Sequence, residues 1–213
     1  MKKNKPHSYC PLCLNVDNFS FCNDFYHCSN CAGYFRPSEL LPSREEERER
    51  YESHNNDVND PRFRKFVEPI TSSILQNYTP NSKGLDFGAG TGPVIETILK
   101  ENSFDVALYD PLFHNYPDVL DEQYDYIACC EVIEHFHNPG FEFDKFSKML
   151  NPQGTLYIMT QLYDSSIDFG SWYYIRDNTH VFIYQKDTMR WIRDKYKYSS
   201  MSIEGRMITM RKA

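Results

Sequence analysis

The 213-residue sequence has no run approaching the roughly 18 unbroken apolar residues that a membrane-spanning helix requires, so insertion into a bilayer is not expected. Its basic start, Met1 to His7, is followed by no apolar signal core, and a cytoplasmic location is the expectation. A basic excess is also missing: 23 Lys and Arg stand against 30 Asp and Glu, a formal net charge of -7. A surface that follows a phosphate backbone needs the opposite balance. A nucleic-acid partner is therefore disfavoured, and a small-molecule or carrier-linked one fits better. Without an export signal, the seven cysteines read as metal ligands or free thiols rather than disulfides.

Four of those cysteines form two matched pairs, Cys10-x2-Cys13 and Cys28-x2-Cys31. Each Cys-x-x-Cys turn aims two thiolates at one point, and two such turns face to face complete a tetrahedral zinc shell. Cys22 and His27 are spare candidates. Four thiolates leave no open position, so the site is read as a structural zinc that lets a short segment fold. Residues 1–41 are accordingly expected to form a small zinc ribbon. Its aromatic residues, from Tyr9 to Phe35, serve either a miniature core or a contact surface.

A helical linker is expected over residues 42–60. Ser43 with Glu46 three residues on is a capping box at the start of a helix from Arg44 to Glu52, and Glu45/Arg48 and Glu46/Arg50 are spaced to pair along a solvated face. Tyr51 and His54 share a face; the preferred reading is packing or surface, the sharper one a cover over a pocket. Asn55 to Asp60 reads as a hinge ending at Pro61. Apolar residues from Phe63 to Leu75 then recur at helical spacing.

Residues 61–213 read as the main domain. A short strand from Lys83 to Phe87 runs into Gly88-Ala89-Gly90-Thr91-Gly92, and Pro93 to Lys100 reads as a helix with Pro93 near its first position. Glycines let backbone approach a ligand closely, and the helix amino terminus supplies donors. Asp86 precedes the first glycine by two residues, Asp110 ends the next apolar strand, and a further strand covers Tyr124 to Cys130. A dinucleotide oxidoreductase would need G-x-G-x-x-G, whereas here the third glycine comes one residue early.

The run Leu85-Asp86-Phe87-Gly88-Ala89-Gly90-Thr91-Gly92 resembles the first motif of class I S-adenosylmethionine-dependent methyltransferases, without a gap. The resemblance covers about residues 58–213. It implies an α/β Rossmann-like, doubly wound, mostly parallel sheet with a C-terminal antiparallel hairpin. S-adenosylmethionine would be the cofactor, with Asp86, Phe87, Gly88, Ala89, Gly90, Gly92 and Cys130 around it and Asp110 accepting from the ribose hydroxyls. The rest of the chain keeps the same order: a helix from Phe141 to Leu150, a turn Asn151 to Gly154, a strand Thr155 to Gln161, a helix Lys186 to Lys195 and two strands around Glu204-Gly205. One departure is visible. Asp110 and Tyr124 are too close for the usual intervening helix and strand, so both must be shortened or lost.

Candidate chemistry lies in Glu131-Val132-Ile133-Glu134-His135-Phe136 and in His180. If the chain turns helical there, Glu131, Glu134 and His135 share one face. Three readings stay open. His135 or His180 acts as a general base on the acceptor. Alternatively Glu131, Glu134, His135 and His180 hold a second divalent metal, an arrangement similar to metal-dependent RNA 2′-O-methyltransferases and to O-methyltransferases of quinone biosynthesis. Or Glu134 and His135 only position local backbone. Base and positioning roles are preferred to metal. Trp172, Tyr173 and Tyr174 stand where this family builds an acceptor pocket, and Cys129 and Cys130 read as buried strand residues rather than nucleophiles. The expected activity is methyl transfer to a small or carrier-linked acceptor, with oxygen preferred. An RNA methyltransferase and a non-catalytic cofactor-binding partner protein are the alternatives, and the oligomeric state is open.

Overall fold

The N-terminal cysteine segment folds as three short antiparallel strands in a computed structural model, which describes residues 9–16, 19–54 and 57–213. The basic start and Asn55-Asn56 of the expected hinge lie outside the described residues. β1 (Phe19–Cys22) turns into β2 (Phe25–Cys28) through Asn23 and Asp24, both at positive φ, as a two-residue hairpin of matching twist demands. β3 (Tyr34–Phe35) follows.

Helix α1 (Arg44–Glu52) begins at the Ser43–Glu46 capping box, as the spacing predicts. The turn from Asp57 to Asp60 then caps α2 (Pro61–Asn77), with the Asp60 carboxylate accepting from Arg62 N–H. β4 (Gly84–Phe87), α3 (Val94–Glu101), β5 (Val106–Tyr109) and β6 (Tyr124–Cys130) come next. Only a 3-10 turn over Pro117–Asp121 fills the stretch between β5 and β6, so β5 is an edge strand. After α4 (Pro139–Met149) the chain enters β7 (Leu150–Met159) directly. The expected turn at Asn151 to Gly154 is instead a bulge within β7, standing opposite Asp125 alone because Tyr124 pairs with Leu150 and Tyr126 with Thr155. The chain closes with β8 (Phe182–Ile183), α5 (Lys186–Lys195), β9 (Tyr198–Glu204) and β10 (Met207–Lys212).

The main sheet runs β5-β4-β6-β7-β10-β9, parallel from β5 to β7 and antiparallel at the closing hairpin. Apolar residues of α2 and α3 (Val67, Ile70, Ile74, Ile95, Leu99) cover one face. On the other face Phe143, Phe146, Met189 and Ile192 of α4 and α5 share a single core with Cys10, Leu12, Cys28, Cys31 and Phe35 of the cysteine segment. The ribbon's sheet is likewise completed by the distant β8, where Tyr34 pairs with Ile183 and Phe35 with Phe182. Gly140 permits that close docking: its N–H donates to the Pro11 carbonyl at 3.2 Å, and an added Cβ would lie 2.6 Å from the Leu12 carbonyl oxygen.

Gly140→Ala is therefore expected to cost about 1–3 kcal/mol, since overpacking against backbone finds little room to relax. Urea denaturation should show this loss in one cooperative transition. Unchanged stability, or a separate ribbon transition, would contradict the shared core.

Candidate active site

The chain leaves β4 toward β5 on one side and later places β6 on the other, so the loops after β4 and β6 diverge and leave a crevice at the carboxyl edge of the sheet. That crevice opens into a cavity of about 1330 Å³. All the residues expected around the cofactor line it: Asp86, Phe87, Gly88, Ala89, Gly90, Gly92, Asp110 and Cys130.

Two carboxylates hold the glycine loop and the helix that follows it. Gly88 has φ +78°, and a Cβ there would lie 2.4 Å from Val132 Cγ2, so a side chain would separate the two loops. Gly90 N–H donates to Asp110 Oδ2 at 3.0 Å, while Asp110 Oδ1 accepts from Leu112 and Phe113 N–H at 2.8 and 3.1 Å. Asp110 thus organises its own strand-end turn and the loop together. Asp86 is buried and accepts from Glu96 N–H at 3.3 Å, capping α3 from below. Pro93 stands just before that helix rather than inside it and has no capping side chain. Burial pushes the Asp86 carboxyl up to about 7.

On the acceptor side the expectation of one helical face carrying Glu131, Glu134 and His135 needs correction. Only Ile133–His135 forms a 3-10 turn, and Glu131 precedes it with φ +53°. From that left-handed backbone its side chain meets Arg206, at the turn between β9 and β10. Burial and then Glu134 push Glu131 up to about 8, against the opposing Arg206 charge. Glu131 is therefore not among the residues brought together: Glu134, His135 and His180 alone place ligand atoms within 4.8 Å of one another.

Each member of that trio is fixed by hydrogen bonds. Glu134 is 1% exposed and accepts from Tyr174 Oη at 2.5 Å and Thr160 Oγ1 at 3.0 Å. His135 Nδ1 lies 2.8 Å from the Thr179 carbonyl and His180 Nδ1 2.7 Å from the Tyr174 carbonyl. A carbonyl only accepts, so both Nδ1 atoms carry hydrogen and both Nε2 atoms keep the basic lone pair. Burial lowers His135 to about 4; burial and then His135 lower His180. Both imidazoles are neutral near pH 7. Cys129 and Cys130 are pushed well up by burial, which removes them as nucleophiles. Of the aromatic trio, Tyr173 and Tyr174 line the cavity, whereas Trp172 is packed in a core with Phe25 and Phe169.

Helix α1 crosses the cavity, so the preferred packing-or-surface reading of Tyr51 and His54 gives way to the pocket-covering one. Both line the cavity, and the Tyr51 ring meets His135 edge-on at 5.2 Å. The expected Glu45/Arg48 and Glu46/Arg50 pairs are also replaced. Glu46 is used by the capping box, Arg48 donates to the Leu112 carbonyl, and Arg50 makes two hydrogen bonds to Asp177 Oδ2 at 2.9 and 2.7 Å. Burial alone would raise Asp177, but Arg50 and Thr179 hold it well below the usual carboxylate range. Arg48 also keeps a pair on the helix's own surface, with Glu52 at 3.5 Å, while loops from both halves of the cavity supply the other partners of Arg48 and Arg50. Arg36, Arg206, Thr160 and Arg50 are the functional-site neighbours that sequence reasoning missed; none carries a motif, because each reaches the site from a distant segment.

The four ribbon cysteines converge as their spacing implies. Cys10 and Cys31 Sγ are 3.6 Å apart, as are Cys13 and Cys28, and all four lie within 4.8 Å of one another. Ligands about 2.3 Å from a tetrahedral zinc stand roughly 3.8 Å apart, so the donor set fits that ion. Cys22 is exposed and His27 stacks on Tyr34, both outside the cluster.

Residues 59–199 match a family model described as a methyltransferase domain. No curated protein matches the sequence. Among solved structures, a candidate O-methyltransferase from Nostoc punctiforme shares 11% identity over 70% of this chain and 56% of its own, with a TM-score of 0.54. Human N-acetylserotonin methyltransferase in complex with SAM shares 9% over 80% of this chain and 57% of its own, TM-score 0.54. An O-methyltransferase family protein from Burkholderia thailandensis shares 12% over 72% and 60%, TM-score 0.50. The agreement is one of fold, and the chain spans little more than half the length of these structures. Among the described residues no helix is long and apolar enough to cross a membrane.

A buried carboxyl with a raised pKa binds its proton more tightly folded than unfolded. The stability it contributes is complete below its unfolded value near 4 and is lost as pH climbs toward 7. Asp86→Asn should therefore flatten the decline in melting temperature of the cofactor-free protein between about pH 4 and 7. Identical profiles for both proteins would show that Asp86 is not held in this way.

Proposed function

The chain belongs to this methyltransferase-domain family, and we propose that it transfers a methyl group from S-adenosylmethionine to a small or carrier-linked acceptor, with a hydroxyl oxygen as the favoured acceptor atom. The observation that carries this reading is that one cavity is lined both by the Asp86–Gly92 loop with Asp110 and by the neutral pair His135 and His180. Its volume of about 1330 Å³ exceeds the 300–1,000 Å³ usual for a single ligand pocket, leaving room for an acceptor beside a cofactor. The O-methyltransferase neighbours favour oxygen, and the net charge of -7 favours a small acceptor over RNA.

When bound, S-adenosylmethionine supplies an electrophilic methyl group on a positively charged sulfur. Asp110 would accept from its ribose hydroxyls, and Asp86 with the glycine loop would surround its methionine end. Nε2 of His135 or His180 would accept the proton of the acceptor hydroxyl as its oxygen takes the methyl. Glu134, buried beside both rings, would stabilise the imidazolium that results. Tyr51, His54 and Tyr173 would exclude water and align the acceptor.

A second reading has an observation of its own. Glu134, His135 and His180 form a donor set for a divalent cation, and their Nδ1–carbonyl bonds orient both rings as such ligands usually are. Glu131 does not join them while Arg206 holds it. At the ribbon, Cys10, Cys13, Cys28 and Cys31 would hold a structural zinc.

Calorimetry should detect S-adenosylmethionine binding that Asp110→Ala weakens at least tenfold; no binding to the wild-type protein would reject the assignment. A brief treatment with a mild chelator should leave close to one zinc per chain, and Cys10→Ser should abolish it. If turnover survives that treatment, the histidines act as bases; loss of turnover restored by added magnesium or manganese would establish the metal reading.

A further inference from the structure

We infer that Arg36 is a positioning residue for His180, so that the cysteine ribbon, beyond folding itself, builds the acceptor side of the active site. This rests on the reading of His180 as part of the methyl-transfer site.

Arg36 follows β3 directly, and its side chain enters the loop that carries His180. Nε donates to the His180 carbonyl at 3.0 Å, and Nη2 donates to the Ile175 and Asp177 carbonyls at 3.0 and 3.3 Å. The Arg36 backbone N–H donates to the Val181 carbonyl at 2.9 Å, continuing the β3–β8 pairing. Three carbonyls from one six-residue stretch thus converge on a single guanidinium. A planar fork places fixed donors at separate positions for the three, whereas an ammonium gathers its rotatable donors at one atom. The group is itself fixed from the ribbon side, lying over the Phe25 ring at 4.6 Å, and Phe25 is fully buried against Phe169.

This stretch, with Tyr174 directly before it, sets the hydrogen bonds of His180. Its N–H donates to the Asp177 carbonyl at 3.2 Å, its Nδ1 partner is the Tyr174 carbonyl, and the adjacent Thr179 carbonyl is the partner of His135 Nδ1. Releasing the carbonyls of Ile175, Asp177 and His180 would free the backbone directly beside each of these two acceptors. The loop would then lose the geometry that keeps hydrogen on Nδ1 and the lone pair on Nε2. Arg50 of α1 grips the same loop, but through the Asp177 side chain, which leaves the carbonyls to Arg36.

Imidazole nitrogen resonances and amide hydrogen exchange test this without an identified acceptor. In the wild-type protein His180 should be the Nδ1–H tautomer at neutral pH. Arg36→Ala should shift it toward the Nε2–H form and lower amide protection over residues 175–182 at least tenfold, while S-adenosylmethionine affinity stays within about threefold. Arg36→Lys, which keeps the charge and stem but not the fork, should show a smaller shift in the same direction and serves alone if the alanine variant does not fold. A wild-type tautomer and wild-type protection in the folded variant would overturn the inference. Failure of wild-type protein to bind the cofactor would reject the proposed function but leave the link between Arg36 and His180 to be decided by these spectra.

Discussion

The backbone of residues 174–180 presents a run of carbonyls at the edge of a deep cavity, and buried carbonyls have to be paired. Helix and ladder pairing leave most of them free, because the segment opens in a single short 3-10 turn, Tyr173–Arg176, and ends before the two-residue strand β8. Donors therefore arrive from elsewhere: Arg36 from the ribbon, His135 from the end of β6, and His180 from within the segment itself. The same bonds that satisfy the loop set the tautomers of both histidines. Folding and the proposed chemistry are joined at this point.

The electrostatics of the cavity follow from what surrounds it. Asp86 and Glu131 are raised by burial, Glu134 is enclosed by two hydroxyls, and both histidines are kept neutral. Arg206 is the cation beside Glu131, while Lys145, Arg44 and Arg176 line other parts of the wall. Under the proposed function, the neutral imidazoles suit removal of a proton from the acceptor. Residues of α1 bridge the two sides, Arg44 and Arg48 bonding the loop after Asp110 and Arg50 the loop before His180.

Much of this was legible in the chain because it is local. The capping box at Ser43, the strand-glycine-helix unit at Asp86–Gly92, the helix Lys186–Lys195 and the shortened stretch after Asp110 each depend on residues only a few positions apart. Glu131 escapes its helical spacing because that spacing presumes helical backbone, and its φ of +53° breaks the pattern before the turn begins. The place of Tyr51 and His54 in the cavity wall is hidden for a different reason. An amphipathic helix reveals which residues share a face, not what that face will meet.

Local sequence suffices for the glycine loop, the four convergent thiols and the succession of helices and strands along the chain, since glycine turns, Cys-x-x-Cys spacings and apolar periods are properties of short segments. Tertiary structure alone decided that the ribbon shares a core with α4 and α5, that Arg206 withholds Glu131 from the Glu134–His135–His180 trio, and that Arg36 secures a loop 144 residues away. Each of those contacts joins groups with no sequence relation. They form because a buried charge or carbonyl takes the nearest suitable partner that packing supplies.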